Sequence, residues 1–213
     1  MRKLLFLFAL IILASCGEKK TTHLHFKTEL TTLNEQVLEM REQIESGGMD
    51  LYSNGEDTRV EMDLSGTVLT SIYNKSLDKL NLLMQAPYAS IAMQPDTEEM
   101  TQIKQMQDLS EYTVKVLDEV IEIQGYSCKK AELTDSQGTI TYHWFTDQIS
   151  VNPDYQQFLI AEIPGVSLQF ESKVDKTTTI TYTCDLVEIL PENPKLYDMS
   201  IPEGYTLQKM QGL

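Results

Sequence analysis

The chain has 213 residues, with 17 Lys and Arg against 32 Asp and Glu, a formal charge of −15, and 41% hydrophobic residues. An acidic excess of this size argues against nucleic acid and against an anionic lipid surface as electrostatic partners, since both are held by basic patches. The length suits one domain with a sizeable core; no Pro/Gly/Ser linker divides the middle and no fixed-period repeat appears.

Met1-Arg2-Lys3 precedes an apolar run from Leu4 to Leu13 and a small-residue exit at Ala14-Ser15. A basic start, a short apolar stretch and a small-residue exit predict a signal peptide over 1–15, too short to span a bilayer as a mature helix. Leu13-Ala14-Ser15-Cys16 resembles the lipobox of bacterial lipoproteins. That resemblance implies that Cys16 is acylated and anchors the mature chain to a membrane. Several acyl chains, at about 0.8 kcal/mol per buried methylene, make a lasting anchor. Cleavage takes Arg2 and Lys3 from the basic residues and leaves 15 against 32 acidic, a charge of about −17. Residues 16–22 read as a short lipidated tether, followed by a single antiparallel β-rich domain over 23–213. Gly17 and Glu18 place no aspartate beside Cys16. By analogy with known sorting, this predicts the outer membrane, with the domain facing the periplasm.

From His23 to Leu30 the sequence alternates, with Leu24, Phe26 and Leu30 on one face and His23 and His25 on the other, predicting a first strand. Two histidines at i and i+2 suit a metal only with a third ligand, and none of the right type sits nearby in sequence, so no metal is expected. Leu33, Val37, Met40 and Ile44 recur at helical spacing, with Asn34 as cap and Gly47-Gly48 as stop. Short strands then follow in a meander: Asp50 to Ser53, Arg59 to Leu64, Thr67 to Tyr73, Lys79 to Gln85 and Tyr88 to Gln94. Val60, Met62 and Leu64 point inward, and the turns carry Asn54-Gly55, Ser65-Gly66 and Ala86-Pro87.

Pro95-Asp96 ends the meander. Thr97 to Leu109 carries Met100, Ile103, Met106 and Leu109 at spacings of three, with Glu98 and Glu99 in the first turn, predicting an amphipathic helix with a core-facing stripe. Strands resume at Tyr112 to Val116, Val120 to Ile123, Cys128 to Leu133 and Thr139 to Thr146. In the last of these, Ile140, Tyr142 and Trp144 share one face and Thr141, His143 and Phe145 the other. A loop through Asn152-Pro153-Asp154 leads to a helical turn over Tyr155 to Leu159. A Pro164-Gly165 turn then starts a strand with Val166, Leu168 and Phe170 inward. Thr177 to Leu190 is the longest strand, with Ile180, Tyr182, Cys184 and Leu186 on one side. The tail from Leu196 to Tyr205 reads as irregular, its apolar side chains closing one end of the sheet.

With Cys16 committed to lipid, two cysteines remain. Cys128 and Cys184 either pair, closing a loop of roughly 55 residues for ~4 kcal/mol in the loop-entropy model, or stay as two buried thiols acting as small apolar residues. Arg59 is one of two arginines left after cleavage. It is a candidate contact for a ligand or lipid head group, against the plainer reading of a cross-strand ion pair. No Gly-x-Ser-x-Gly, phosphate-binding glycine loop or His-Glu-x-x-His occurs. A Cys128–His143 dyad rests on two residues alone, so no catalytic residue, enzyme activity or cofactor is expected.

Gly125-Tyr126-Ser127-Cys128-Lys129-Lys130-Ala131, Tyr142 to Ile149, and Ile163-Pro164-Gly165-Val166-Ser167-Leu168-Gln169-Phe170-Glu171 resemble, in that order, the envelope proteins named for a GLPGLI motif. The closing Ile201-Pro202-Glu203-Gly204-Tyr205 resembles that of a related group of envelope lipoproteins. These groups are similar to the lipoprotein carriers LolA and LolB. The resemblance implies an α+β, mainly β fold: a curved antiparallel half-barrel with about two helices packed on its concave face or end. It also implies a non-enzymatic module that binds an apolar or lipid-like ligand. The alternative is an accessory envelope protein that meets other envelope proteins without a small ligand.

Overall fold

Apolar and polar side chains alternate with a period of two through most of the chain, and the result is one open, curved sheet of twelve strands. The computed structural model describes residues 19–109, 112–152, 154, 160 and 162–209. In chain order the elements are β1 (Lys20–Thr32), α1 (Glu35–Leu38), α2 (Arg41–Ser46), β2 (Gly48–Ser53), β3 (Thr58–Leu64), β4 (Thr67–Asn74), β5 (Lys79–Ala86), β6 (Ala89–Met93) and α3 (Thr97–Leu109). They continue as β7 (Thr113–Ile123), β8 (Tyr126–Thr134), β9 (Ile140–Thr146), β10 (Val166–Lys173), β11 (Thr178–Pro191), a 3-10 turn (Pro194–Tyr197) and β12 (Thr206–Gln208). The order across the sheet is β12-β6-β5-β4-β3-β2-β1-β11-β10-β9-β8-β7. β12 pairs parallel with β6, and every other neighbouring pair is antiparallel. The expected class, α+β and mainly β, holds.

β1 joins the two wings, pairing with β2 on one side and β11 on the other. From β1 to β6 the register is unbroken. Phe26, Met49, Met62, Leu69, Met84 and Ile91 stand directly opposite one another across six strands, and Leu24, Leu51, Val60, Ser71, Leu82 and Met93 form the neighbouring row. Direct opposition puts each row on one face, here called the inner face. On β1 to β3 these side chains are buried with Ile123, Cys128, Ile149, Leu168, Phe170 and Tyr182, which come from the opposite wing and the loop after β9. That loop is fastened to the β2–β3 turn: Thr58 donates to the Asn152 carbonyl at 3.1 Å, and the Asn152 amide donates to the Glu56 carbonyl at 2.8 Å.

Register also explains where the predicted faces change. A bulge in the β1–β11 pairing sets Phe26 opposite Cys184 but His25 opposite Leu186. The inner side therefore passes from Cys184 to Val187, which packs on the main core, and Leu186 turns outward to exposure. Tyr112 to Ile123 holds one bulged strand rather than two, the break falling between Val116 and Val120. The predicted helix over 33–44 splits into α1 and α2, capped by Asn34 and interrupted at Met40. Neither piece buries a residue and Leu33 is 86% exposed, so that stripe is not a core face. Helices of four and six residues are too short to hold an amphipathic face against a sheet. The helical turn expected over 155–159 and the signal peptide lie outside the described residues.

The tail is ordered. Arg59 donates to the Leu196 carbonyl at 3.2 Å, and the Asn81 and Gln94 amides both donate to the Met199 carbonyl at 2.9 Å. Met199, Ile201 and Tyr205 then cover Ile72, Leu83 and Ala92 on the outer face before β12 joins the edge.

Gly165 has φ +148°, and a Cβ there would overlap the Thr146 carbonyl oxygen. Gly165→Ala is expected to lower unfolding stability in urea by about 2–4 kcal/mol, through backbone strain and overpacking. His143 is buried, accepts or donates at Nδ1 with Ser167 Oγ at 3.0 Å, and stacks on Phe170. Burial pushes its pKa down from 6.5 to about 4. The unfolded chain therefore binds a proton that the folded chain refuses between these values. Stability is full above pH 6.5 and falls as pH drops toward 4, by about 3 kcal/mol from this group. Urea melts at pH 7.5 and 4.5 should show that much less acid loss in His143→Phe than in the wild type.

Candidate functional site

The two inner rows do not stay buried. On β1 to β3 they are sealed, but on β4 to β6 Leu69 is 36% exposed and Leu82, Met84, Ile91 and Met93 are half-buried. Leu64, inward as its spacing predicts and opposite Thr67, is 47% exposed at the end of β3. This is an apolar shelf, three strand spacings or about 14 Å wide from β3 to β6. One end is walled by α3, whose Met100 and Ile103 pack on Tyr73, Leu80 and Leu82. The other side is bounded by the sealed core. α3 is thus partly the core-facing helix its stripe predicts. Asp96 caps it by accepting from the Glu98 and Glu99 amides at 2.9 and 3.0 Å, while Glu99 accepts from the Asp96 amide at 2.8 Å.

What makes the shelf chemically distinct is its side-chain type. Methionine is unbranched and polarizable, and Met84 and Met93, beside the buried Met62, give a surface able to adapt to an irregular apolar partner. Ser71 sits in the middle of the second row between Val60 and Leu82. Its Oγ is shielded from solvent and has no hydrogen-bond partner among the described residues. The apolar positions were readable from alternation; the shelf was not, because exposure depends on which strands the far wing reaches.

Arg59 lies elsewhere. It stands opposite Tyr52 and Ile72 on the outer face, where its guanidinium pairs with Glu61 and holds the tail through Leu196. The ion pair lies within β3 rather than across strands, and the same guanidinium straps the tail, on the face opposite the shelf. Outer-face neighbours His23 and His25 meet carboxylates that sequence proximity does not reveal. His23 Nε2 and His25 Nδ1 lie 2.7 and 3.1 Å from the same Asp50 oxygen, and His23 Nδ1 lies 3.4 Å from Glu188. His23 also stacks on Tyr52 at 4.4 Å. Asp50 faces His25 only through strand pairing. Among the described residues, no group of three or more His, Cys, Asp and Glu is arranged to hold a metal ion.

Cys128 and Cys184 are free, buried thiols in the same core cluster. Each turns to a nearby carbonyl, Cys128 to Tyr126 at 3.5 Å and Cys184 to Leu186 at 3.2 Å. Burial pushes the Cys184 thiol up to about 12 and raises Cys128, the state of a packing residue rather than of a nucleophile. His143 pairs with Ser167, not with Cys128. Cys16 lies outside the described residues. Among those residues no helix is long and apolar enough to cross a membrane.

An open, twelve-stranded, mainly antiparallel sheet with an apolar inner face defines the class. The chain belongs to the DUF4412 family, a domain of unknown function whose model matches residues 35–179. That span holds the shelf, α3 and the far wing as far as the start of β11. No curated protein matches the chain. Its fold is similar to part of PNGF-II in a C2 crystal form, with a TM-score of 0.51 at 11% identity over 90% of this chain and 31% of that one. The P21 form of PNGF-II gives 0.49 at 11% identity, over 90% and 32%. The chain spans about a third of the length of PNGF-II.

If Arg59 straps the tail, Arg59→Ala should speed proteolytic cleavage within 194–208 and lower stability by about 1.5–3 kcal/mol, the range for a hydrogen bond to a charged group. Arg59→Ala should leave apolar-probe binding unchanged, since the guanidinium is on the opposite face.

Proposed function

We propose that the protein is a membrane-anchored envelope module, acylated at Cys16, that holds an apolar, lipid-like ligand on the inner face of β4 to β6 without catalysing a reaction. The observation that carries this reading is the half-exposed run of Leu64, Leu69, Met84, Ile91 and Met93, continuous with a sealed core. Contiguous exposed apolar surface rimmed by polar residues marks binding sites. The resemblance to the lipoprotein carriers and the lipobox at Leu13-Ala14-Ser15-Cys16 support an envelope setting, with the outer membrane and its periplasmic side as the place.

A second reading has an observation in its favour. The centre of the sheet is filled by its own side chains, which suits an accessory domain that docks on other envelope proteins with no small ligand. Fluorescence titration with N-phenyl-1-naphthylamine, a neutral apolar probe, separates the two. The binding reading expects saturable enhancement that Leu69→Glu and Met84→Glu each weaken at least tenfold, roughly the effect of placing one charge on an apolar site. Enhancement absent from the wild type, or indifferent to both substitutions, favours the accessory reading. The anchor has its own test: mass spectrometry of the membrane-extracted protein should find an acylated Cys16 at the N-terminus, and Cys16→Ser should leave the chain unacylated and extractable without detergent.

A further inference from the structure

Given a ligand on the inner face of β4 to β6, we propose that it is a neutral acyl ester rather than a free fatty acid, and that Ser71 donates the hydrogen bond that seats its carbonyl. The inference rests on the site reading above and adds the ligand's chemistry.

Two observations define that chemistry. The first is charge. In a protein with 49 charged residues among 213, β4 to β6 carry one, Lys79, which stands opposite Asn74 on the outer face, and Arg59, Glu61 and Asp63 of β3 share that outer face. A carboxylate laid on the shelf would lose its hydration and gain no cation from these strands, which is costly for an ion. The second is Ser71. A shielded hydroxyl without a partner is unfavourable in the ligand-free molecule, and a ligand that supplies an acceptor relieves that cost. The only other shielded side-chain oxygen or nitrogen without a partner among the described residues is Asn81 Oδ1, and Asn81 lies under the tail on the outer face.

An ester meets both conditions. It is uncharged, its oxygens only accept, and the serine hydroxyl is a donor as well as an acceptor. Leu82 and Val60 flank Ser71 directly, with Met62 and Met84 in the next row. Ligand access to the shielded Oγ requires these side chains to part, and unbranched methionines do so most easily. The acyl chain then lies along the Leu69, Met84 and Ile91 row.

The test is competition against N-phenyl-1-naphthylamine at pH 8, with methyl laurate and laurate as competitors. Methyl laurate should displace the probe at a concentration about tenfold lower than laurate, as expected for burial of a neutral group over an unpaired ion. Ser71→Ala should weaken methyl laurate about fivefold relative to the probe's affinity for the same variant, the loss of one neutral hydrogen bond; Ser71→Thr, which keeps the hydroxyl, should restore it. Laurate competing as well as its ester, or an ester indifferent to Ser71→Ala, overturns the inference while leaving the shelf as a site. Failure of the probe to bind the wild type contradicts the site itself. A diacylglycerol and a diacylglyceryl-cysteine peptide, compared in the same assay, tell a membrane glyceride from a protein-borne lipid as the source of the ester, and exclusion of both overturns the proposal.

Discussion

Six strands from β1 to β6 keep one register without a slip, and that register sorts every side chain on them to one of two faces. A shift of one residue anywhere in the run would send methionine and leucine outward and bring Arg59, His25 or Asp50 inward. Both the sealed core and the open shelf depend on this. They are one continuous apolar surface, buried to different depths. The inner side of β1 to β3 is covered because β1 also pairs with β11, which brings the far wing round to pack Phe170, Tyr182 and Leu168 against Phe26 and Leu24. That cover does not extend fully over β4 to β6, where α3 supplies Met100 and Ile103 at one end.

The outer face is treated differently along the same six strands. Near β1 and β2 it is wet and carries the histidine–carboxylate chain of Glu188, His23, Asp50 and His25. Near β4 to β6 it carries an apolar patch of Ile72, Leu83 and Ala92 that the tail covers, with Arg59 and Asn81 fixing the tail's carbonyls. A chain that closes its outer apolar patch with its own tail while leaving the inner one half-exposed has two apolar surfaces on the same strands with different treatment. The ligand role proposed for the inner one would account for that difference.

Alternation made nearly all the strands legible, and the helix over Thr97–Leu109 was legible from its apolar spacing and acidic first turn. Pairing between distant segments was not. The bulge that turns Leu186 outward belongs to the β1–β11 ladder, and Asp50 reaches His23 and His25 only because β2 lies beside β1. Arg59 illustrates the same limit: its acidic neighbour Glu61 was visible in the chain, whereas Leu196, 137 residues away, was not. β12 is three residues long and pairs parallel, too short for any periodic signal. The shelf was legible in its residues and illegible as a site, since alternation gives the face of a side chain but not what lies over it.

Binding on the inner face is measured most directly by methyl NMR of the mature protein labelled at methionine, titrated with a neutral aliphatic ester. Met84 and Met93 line the half-exposed rows, Met49 is sealed in the core, and Met199 belongs to the tail that covers the outer face. Saturable shifts are expected at Met84 and Met93, smaller ones at Met62, and none at Met49 or Met199. Shifts centred on Met199, or none at Met84 and Met93 at saturating ester, would contradict binding on the inner face.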